Sequence, residues 1–395
     1  MPEHAAAASA RAAVGTLWAS IDRRLLLAVA AMALIGLVMV ASASVSVAEQ
    51  ATGDAFYYFK RQLLFVALSA IAVAAAVLVP LSTWQRAGPP LMVAGLALLV
   101  LVLLPGVGRE VNNAVRWIPL GVFNLQVAEP VKVCLVLYLA GFLVRRQQQL
   151  RSHWLVFLAP VIVAGACAFL LLKQPDFGTA VMLMALTLGM LFLAGAPLSR
   201  FVILVTALGA AAWGLIVHSP YRWERITAFL DPWSDPFNTG FQLTQSLMAI
   251  ARGDWLGVGL GGSVQKLFYL PEAHTDFIFS ILAEEAGLIG VAAVVALFTF
   301  VVWRALHTGW QCHRHRLPFA GYVAWAAGLA IGLQAFINMG VATGLLPTKG
   351  LTLPLLSYGG SSALATGVLI GIVLRAGHEL AQARAAGVRP EEERA

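Results

Sequence analysis

Ten apolar runs constrain this chain more than any other feature. They lie near residues 23–47, 60–80, 88–105, 126–144, 154–172, 179–196, 200–218, 276–304, 319–345 and 361–380. Each is long enough to cross the roughly 30 Å of hydrocarbon in a bilayer. A backbone inside lipid must satisfy its own hydrogen bonds, so runs of this kind become helices. The predicted fold is an all-α polytopic membrane protein with about ten transmembrane helices. Composition agrees: charged residues are 11% of the chain, against about 25% in soluble domains. Residues 25–40 followed by Ala41-Ser42-Ala43-Ser44 have the shape of a secretory signal and its cleavage site. That run is as long as the spans that follow, and it is read as the first of them.

An even number of spans puts both termini on one side. Arg11, Arg23 and Arg24 precede the first span, Arg145, Arg146 and Arg151 follow the fourth, and Arg304, Arg314 and Arg316 follow the eighth. Arg375, Arg384, Arg389 and Arg394 close the chain. All fall on that same side. Lys and Arg collect in cytoplasmic loops, so both termini are expected in the cytoplasm. Orientation accounts for the net charge of +7, and no nucleic-acid partner is inferred from it. The sequence then divides into a cytoplasmic tail (1–22), a transmembrane domain (23–380) and a charged, disordered tail (381–395). The outer face receives the 106–125 loop, the 173–178 turn, a large 219–275 loop between helices 7 and 8, and the 346–360 loop. Cys134 and Cys167 lie in apolar runs and Cys312 in a basic loop, which gives no disulfide framework. His307, Cys312, His313 and His315 lack a second ligand pair, so no metal site is read there.

The outer loops hold the chemistry. Leu270-Pro271-Glu272-Ala273-His274-Thr275-Asp276-Phe277 turns from polar to apolar within a few residues. Thr275 or Asp276 can cap the eighth span. Asp276 can equally stand at the mouth of a cavity and accept a proton from a substrate hydroxyl, and a helix dipole would favour its ionised form. Glu284 lies roughly 80° round the helix from Asp276 and Glu285 on the opposite face. Glu284 is therefore expected to share the cavity and Glu285 to bond a neighbouring helix, although interhelical hydrogen bonding suits both. Glu129 and Lys132 share a helix face and form an ion pair of structural character. On the cavity wall, Lys132 would meet an anionic headgroup. Arg109 and Arg116 lie outside, where orientation would not place them, and their planar donors suit phosphate. Asp176 borders the turn Gln174-Pro175-Asp176-Phe177-Gly178, which turn chemistry alone explains. The loop 221–246 alternates aromatics with charges, as an interfacial segment does. Gly257-Val258-Gly259-Leu260-Gly261-Gly262-Ser263 lacks the strand and helix of a nucleotide loop, and that reading is rejected. Pro347-Thr348-Lys349-Gly350 through Ser357-Tyr358-Gly359-Gly360-Ser361-Ser362 reads as a buried turn lending backbone and hydroxyl groups.

With these segments on view, the chain resembles the SEDS family (shape, elongation, division, sporulation) over roughly residues 25–380. The most specific segments are 262–266, 270–277 and 346–362. Ala273 and the wording Pro347-Thr348-Lys349-Gly350-Leu351-Thr352 resemble the division branch rather than the elongation branch. The resemblance implies a peptidoglycan glycosyltransferase that polymerises lipid II during septal wall synthesis, in the bacterial inner membrane at the division septum. It implies Asp276 as the catalytic carboxylate, and Arg116-Trp117, Glu129 with Lys132, and Gln174-Pro175-Asp176 as family elements. Substrate-binding residues are then Arg109, Arg116, Lys132, Glu129, Asp176, His274, Lys349 and Ser357. Gln126-Val127-Ala128-Glu129-Pro130 and Asn112-Asn113-Ala114 depart from the family's wording. Implied partners are a class B penicillin-binding protein, an FtsI-like transpeptidase, and other divisome membrane proteins.

The expected reaction has Asp276 deprotonate a sugar hydroxyl as it attacks the donor's anomeric carbon. The lipid diphosphate leaves from the opposite face, with inversion and without a covalent intermediate, by analogy with inverting glycoside chemistry. A divalent cation, Mg2+ or Mn2+, would help neutralise the diphosphate, but the sequence shows no dedicated site. Two rivals stand beside this: a lipid II flippase and a non-catalytic division scaffold. A flippase would need polar residues along a path through the bilayer. Here they gather at the outer helix ends, which favours the enzyme.

Overall fold

The computed structural model describes residues 20–388 apart from 112–113, 120, 122, 220–222, 225–226, 228 and 348–349. Ten long helices match the ten apolar runs: α1 (Arg23–Thr52), α2 (Tyr57–Leu78), α3 (Leu81–Leu101), α4 (Ala128–Leu150), α5 (Trp154–Lys173), α6 (Phe177–Leu193), α7 (Leu198–Val217), α9 (Ile278–Arg314), α10 (Pro318–Ala342) and α11 (Gly360–Ala385). Seven of them are individually long and apolar enough to span a membrane. Helix α4 falls short because it carries Glu129, Lys132, Arg145 and Arg146.

The bundle is apolar outside as well as inside. Leu27, Leu34, Ile71, Leu155, Ile162 and Phe169 are all more than 60% exposed. In water that surface would aggregate; in lipid it is the contact layer. The chain is a multi-pass membrane protein. Lipid tails give helices no hydrophobic reason to associate, so close packing at small residues must do it. A Cβ on Gly367 of α11 would lie 2.5 Å from Ser69 Oγ on α2, and one on Gly371 would lie 2.7 Å from Val73 O. The α2–α11 seam therefore closes only on glycine.

Four sequence expectations change. The 106–125 segment is not loop alone: β1 (Arg109–Val111), β2 (Ala114–Pro119) and β3 (Asn124–Gln126) form an antiparallel sheet in the order β1-β2-β3. Its register sets Trp117 against Arg109 on one side and Gln126 on the other. The basic segment after the eighth span stays helical to Arg314, which buries Cys312 against the Ala376 carbonyl. The C-terminal tail begins as helix, since α11 continues to Ala385. Within the long loop between α7 and α9, α8 (Phe241–Gly253) docks on the bundle: Ser246 Oγ lies 2.6 Å from Ser280 Oγ and donates to Ala342 O at 2.6 Å.

The glycine run has a structural reason. Helix α9 breaks at Gly287, whose φ is 63°. The freed backbone groups find partners in the incoming loop: Val258 N and Gly259 N donate to Glu284 O and Glu285 O, and Leu288 N donates to Asp254 O. A Cβ on Gly257 would lie 2.2 Å from Glu285 O, so the loop can enter the break only as bare backbone. Ion pairs fix the same junction. Glu284 accepts from Arg252 Nη1 (3.0 Å), Ser263 Oγ (2.5 Å) and Val264 N (3.1 Å). Glu285 accepts from Lys266 Nζ (2.7 Å) and from Ser42 Oγ of α1. Glu285 thus bonds a neighbouring helix as expected. Glu284 does not share the cavity of Asp276; the loop saturates its carboxylate.

Candidate active site

Three segments meet over one end of the bundle: the turn 271–277 ahead of α9, the turn 350–359 ahead of α11, and the β-sheet. Backbone and side-chain bonds lock them together. Ser357 Oγ donates to Thr275 O (2.5 Å) and accepts from Leu353 N (2.8 Å). Tyr358 N donates to His274 O (2.9 Å). Asn338 of α10 donates to both Asp276 O (2.8 Å) and Leu351 O (2.6 Å). Ser361 of α11 accepts from Gln126 N (3.0 Å), which hangs the sheet on the helix start. The 350–359 turn reaches into the bundle far enough that a Cβ on Gly36 would lie 2.2 Å from Leu355 O.

Between these segments lies a cavity of about 480 Å³. Asp276, Glu272 and His274 form one wall, Arg116 and Gln126 another, and Arg61 closes a third from α2. Asp276 Oδ2 and Arg116 Nη1 converge over the bare Cα of Gly350, 3.1 and 3.7 Å from the point its Cβ would occupy. Helix α9 is capped by Phe277 without a side-chain bond, so Asp276 is not an N-cap. Its carboxylate has no hydrogen-bond partner among the described residues. The Nε of Arg116 is buried and equally unpartnered.

Burial and charge set the state of Asp276. Protein surrounds the carboxyl on every side, though solvent still reaches it through the cavity. Desolvation raises its pKa to about 7, Glu272 adds to the rise, and Arg116 opposes it. The helix dipole does not win, contrary to the sequence expectation, because desolvation of a carboxylate outweighs a partial helix charge. His274 is held neutral by burial, against the pull of Glu272. Its ring lies 4.7 Å from Tyr58 and 5.8 Å from Tyr358, forming an aromatic wall.

Of the sequence-chosen residues, Asp276, Arg116 and His274 line the cavity. Lys132 and Glu129 do not. They form a buried pair at 2.5 Å, and Lys132 also donates to Gln334 Oε1 (2.6 Å). Gln334 in turn donates to Thr352 O and Ser362 Oγ, so the pair stands one residue behind the wall. Asp176 caps α6 through Thr179 N (3.1 Å) and Thr179 Oγ1 (2.9 Å). Burial raises its pKa, and the nearby Arg116 opposes that rise. Ser357 braces the turns and does not face the cavity. Arg109 is exposed on edge strand β1, away from the cavity, because the hairpin carries it outward. Lys349 lies outside the described residues.

Sequence reasoning missed Arg61, Tyr58 and Phe65. Arg61 donates to Tyr57 Oη (2.7 Å) and sits over the rings of Tyr57 and Phe65. Its signal was available: an arginine at the helix end that the sequence reading puts outside, where the orientation rule does not collect basic residues. Among the described residues no group of three or more His, Cys, Asp or Glu side chains gathers as a metal site. Two guanidiniums, those of Arg61 and Arg116, line the cavity.

A family model for cell cycle proteins, FtsW/RodA/SpoVE, matches residues 23–382. A probable peptidoglycan glycosyltransferase FtsW from Halorhodospira halophila is 73% identical over 392 residues, covering 99% of each chain. Another with the same description, from Alkalilimnicola ehrlichii, is 58% identical over 95% of this chain and 93% of its own. Among solved structures, one chain reported for the coordination of polymerization and crosslinking by a peptidoglycan synthase complex superposes with a TM-score of 0.74 at 30% identity. It covers 92% of this chain and 99% of that one. The rod shape determining protein RodA of Thermus thermophilus superposes with a TM-score of 0.67 at 27% identity, over 92% and 98%.

Proposed function

The chain belongs to the FtsW/RodA/SpoVE family of cell cycle proteins, and from that premise we propose that it polymerises lipid II with Asp276 as the general base. It is a membrane-embedded peptidoglycan glycosyltransferase. The supporting observation is a carboxylate without a hydrogen-bond partner among the described residues, facing an arginine across a cavity at one end of the bundle. A group that must take a proton cannot already be tied up in hydrogen bonds, and it needs a pKa near the working pH. Asp276 meets both conditions.

In this reading the acceptor's sugar hydroxyl approaches Asp276. The carboxylate takes the hydroxyl proton while the oxygen forms its bond to the donor's anomeric carbon. The bond from that carbon to the diphosphate breaks, and its electron pair leaves with the lipid diphosphate. Arg116 and Arg61 stabilise the charge that develops there, in a site where the low dielectric strengthens the attraction. Attack opposite the leaving group inverts the anomeric centre. The cavity end faces the exterior, the arginine-rich end faces the cytoplasm, and a class B penicillin-binding protein accompanies the chain at the septum.

Asp276→Asn in purified protein supplied with such a transpeptidase and lipid II should abolish polymer and leave the fold intact. Full activity would remove Asp276 from the role. Translocation of lipid II into vesicles by that same variant, without polymer from wild type, would favour a flippase.

A further inference from the structure

A second cavity, of about 660 Å³, opens at the end of the bundle opposite Asp276. The two ends of α11 mark the separation: Gly360 borders the first cavity and Arg384 the second. At 1.5 Å per residue they stand about 36 Å apart, close to one bilayer. The chemistry of glycosyl transfer uses nothing here.

Arg23 and Arg24 come from the start of α1, Arg304 and His307 from α9, and Arg384 from α11. Four guanidiniums face one carboxylate, Asp22. Arg304 is engaged, its Nε donating to Asp22 Oδ2 at 2.7 Å and its Nη2 to the same oxygen. Arg384 donates to Gln311 Oε1 at 2.7 Å, which fixes its head at the rim. Neither Arg23 nor Arg24 holds an ion pair among the described residues.

Orientation of the chain explains why arginines lie at this end. It does not explain why three segments distant in sequence bring them round one hollow. Arg145 and Arg146 show the contrast: they lie at the same end on α4, exposed, and border no such cavity. The depth of the hollow is marked by Trp303 and Trp310, which are 52% and 45% exposed on α9. The His307 ring lies between them, 5.5 and 5.8 Å away. Exposed tryptophans on a membrane helix sit at headgroup level. A ligand entering there arrives from the membrane. Guanidinium groups offer paired donors that match phosphate oxygens.

We propose that this cavity binds the phosphate headgroup of an anionic phospholipid in the leaflet facing the basic end. The leaflet's identity rests on the orientation proposed above. Binding measured in detergent does not, so the two can fail separately.

The test titrates the purified full chain with phosphatidylglycerol or phosphatidylcholine and counts bound lipid by native mass spectrometry. The wild type should retain phosphatidylglycerol preferentially. Arg23→Gln/Arg24→Gln/Arg384→Gln should lose at least tenfold in that affinity. Arg145→Gln/Arg146→Gln should stay within twofold of wild type. Equal losses in both variants, or no preference between the lipids, would overturn the site. Inorganic pyrophosphate serves as the soluble probe. Binding of pyrophosphate that needs the same three arginines, without preference for phosphatidylglycerol, would keep the phosphate chemistry and overturn the lipid source. Should the triple variant melt below wild type, Arg384→Gln alone carries the measurement, with a loss of about threefold expected and none overturning the site.

Discussion

In the proposed reaction, the pKa of Asp276 makes the rate of polymerisation a function of pH. With a value of about 7, roughly a tenth of the enzyme holds an ionised base at pH 6 and roughly nine tenths at pH 8. The rate should therefore climb about tenfold between those pH values and then level. At the ordinary aspartate value of 3.8 the same range would be flat. The neighbours give the sign of two further shifts. Glu272 raises the value and Arg116 lowers it. Glu272→Gln should move the rising limb to lower pH and Arg116→Gln to higher pH, beyond any change in maximal rate. The same shift bears on stability. The folded pKa lies above the unfolded one, so between about pH 4 and 7 the folded chain holds a proton that the unfolded chain has released. Stability from this group falls as pH rises through that window. The ceiling is roughly 4 kcal/mol at 1.36 kcal/mol per unit, and water in the cavity reduces it. Asp276→Asn should thus melt above wild type at pH 8, and the gap should narrow at pH 5.5. The assay is polymer length and rate from lipid II across pH 5.5–8.5, with melting of both proteins in the same buffers. A flat wild-type profile together with an inactive Asp276→Asn variant would refute the account of how the cavity tunes its base.

Other outcomes follow from single contacts. Gly350→Ala places a methyl 3.1 Å from Asp276 Oδ2; polymerisation should fall at least tenfold with melting unchanged, read by activity and thermal shift in parallel. Glu285→Gln leaves Lys266 charged and buried without its carboxylate, which should cost about 3–5 kcal/mol and lower the melting temperature. Gly257→Ala meets both a φ of +78° and the Glu285 carbonyl, and should cost about 1–3 kcal/mol by opening the helix break; hydrogen exchange at Val258 and Gly259 would report it. Gln334→Leu removes one partner of buried Lys132 and should cost about 1–3 kcal/mol, again by thermal melting.

The helices were legible because lipid imposes one rule on every apolar run. Ten runs became ten helices, and their ends shifted where polar residues continued the helix beyond the hydrocarbon, as at Arg314 and Ala385. The sheet was not legible. Its strands are three to six residues long, and they exist because Ser361 holds Gln126 and Val127 N reaches Arg116 O. No local pattern announces such bonds. The glycine run packs against a break at Gly287 in another segment. Nothing within residues 257–263 points there.

The same logic separates the chosen residues that line the cavity from those that do not. Arg116 stood out as a charge that orientation did not require, and Asp276 as either a cap or a cavity carboxylate; among the described residues the Asp276 carboxylate has no hydrogen-bond or ion-pair partner and the Arg116 Nε has none. Glu129, Lys132, Asp176, Glu284 and Ser357 are just as polar, yet each is fully engaged: one by a neighbouring lysine, one by a glutamine, one by a threonine, one by a loop, one by a turn. A sequence shows which polar groups are buried in a membrane protein but not which of them have found partners. The proposed chemistry rests on the groups that have not. That is why replacing a saturated residue such as Glu284 should disturb stability first and chemistry only as a consequence, while Asp276 should do the reverse.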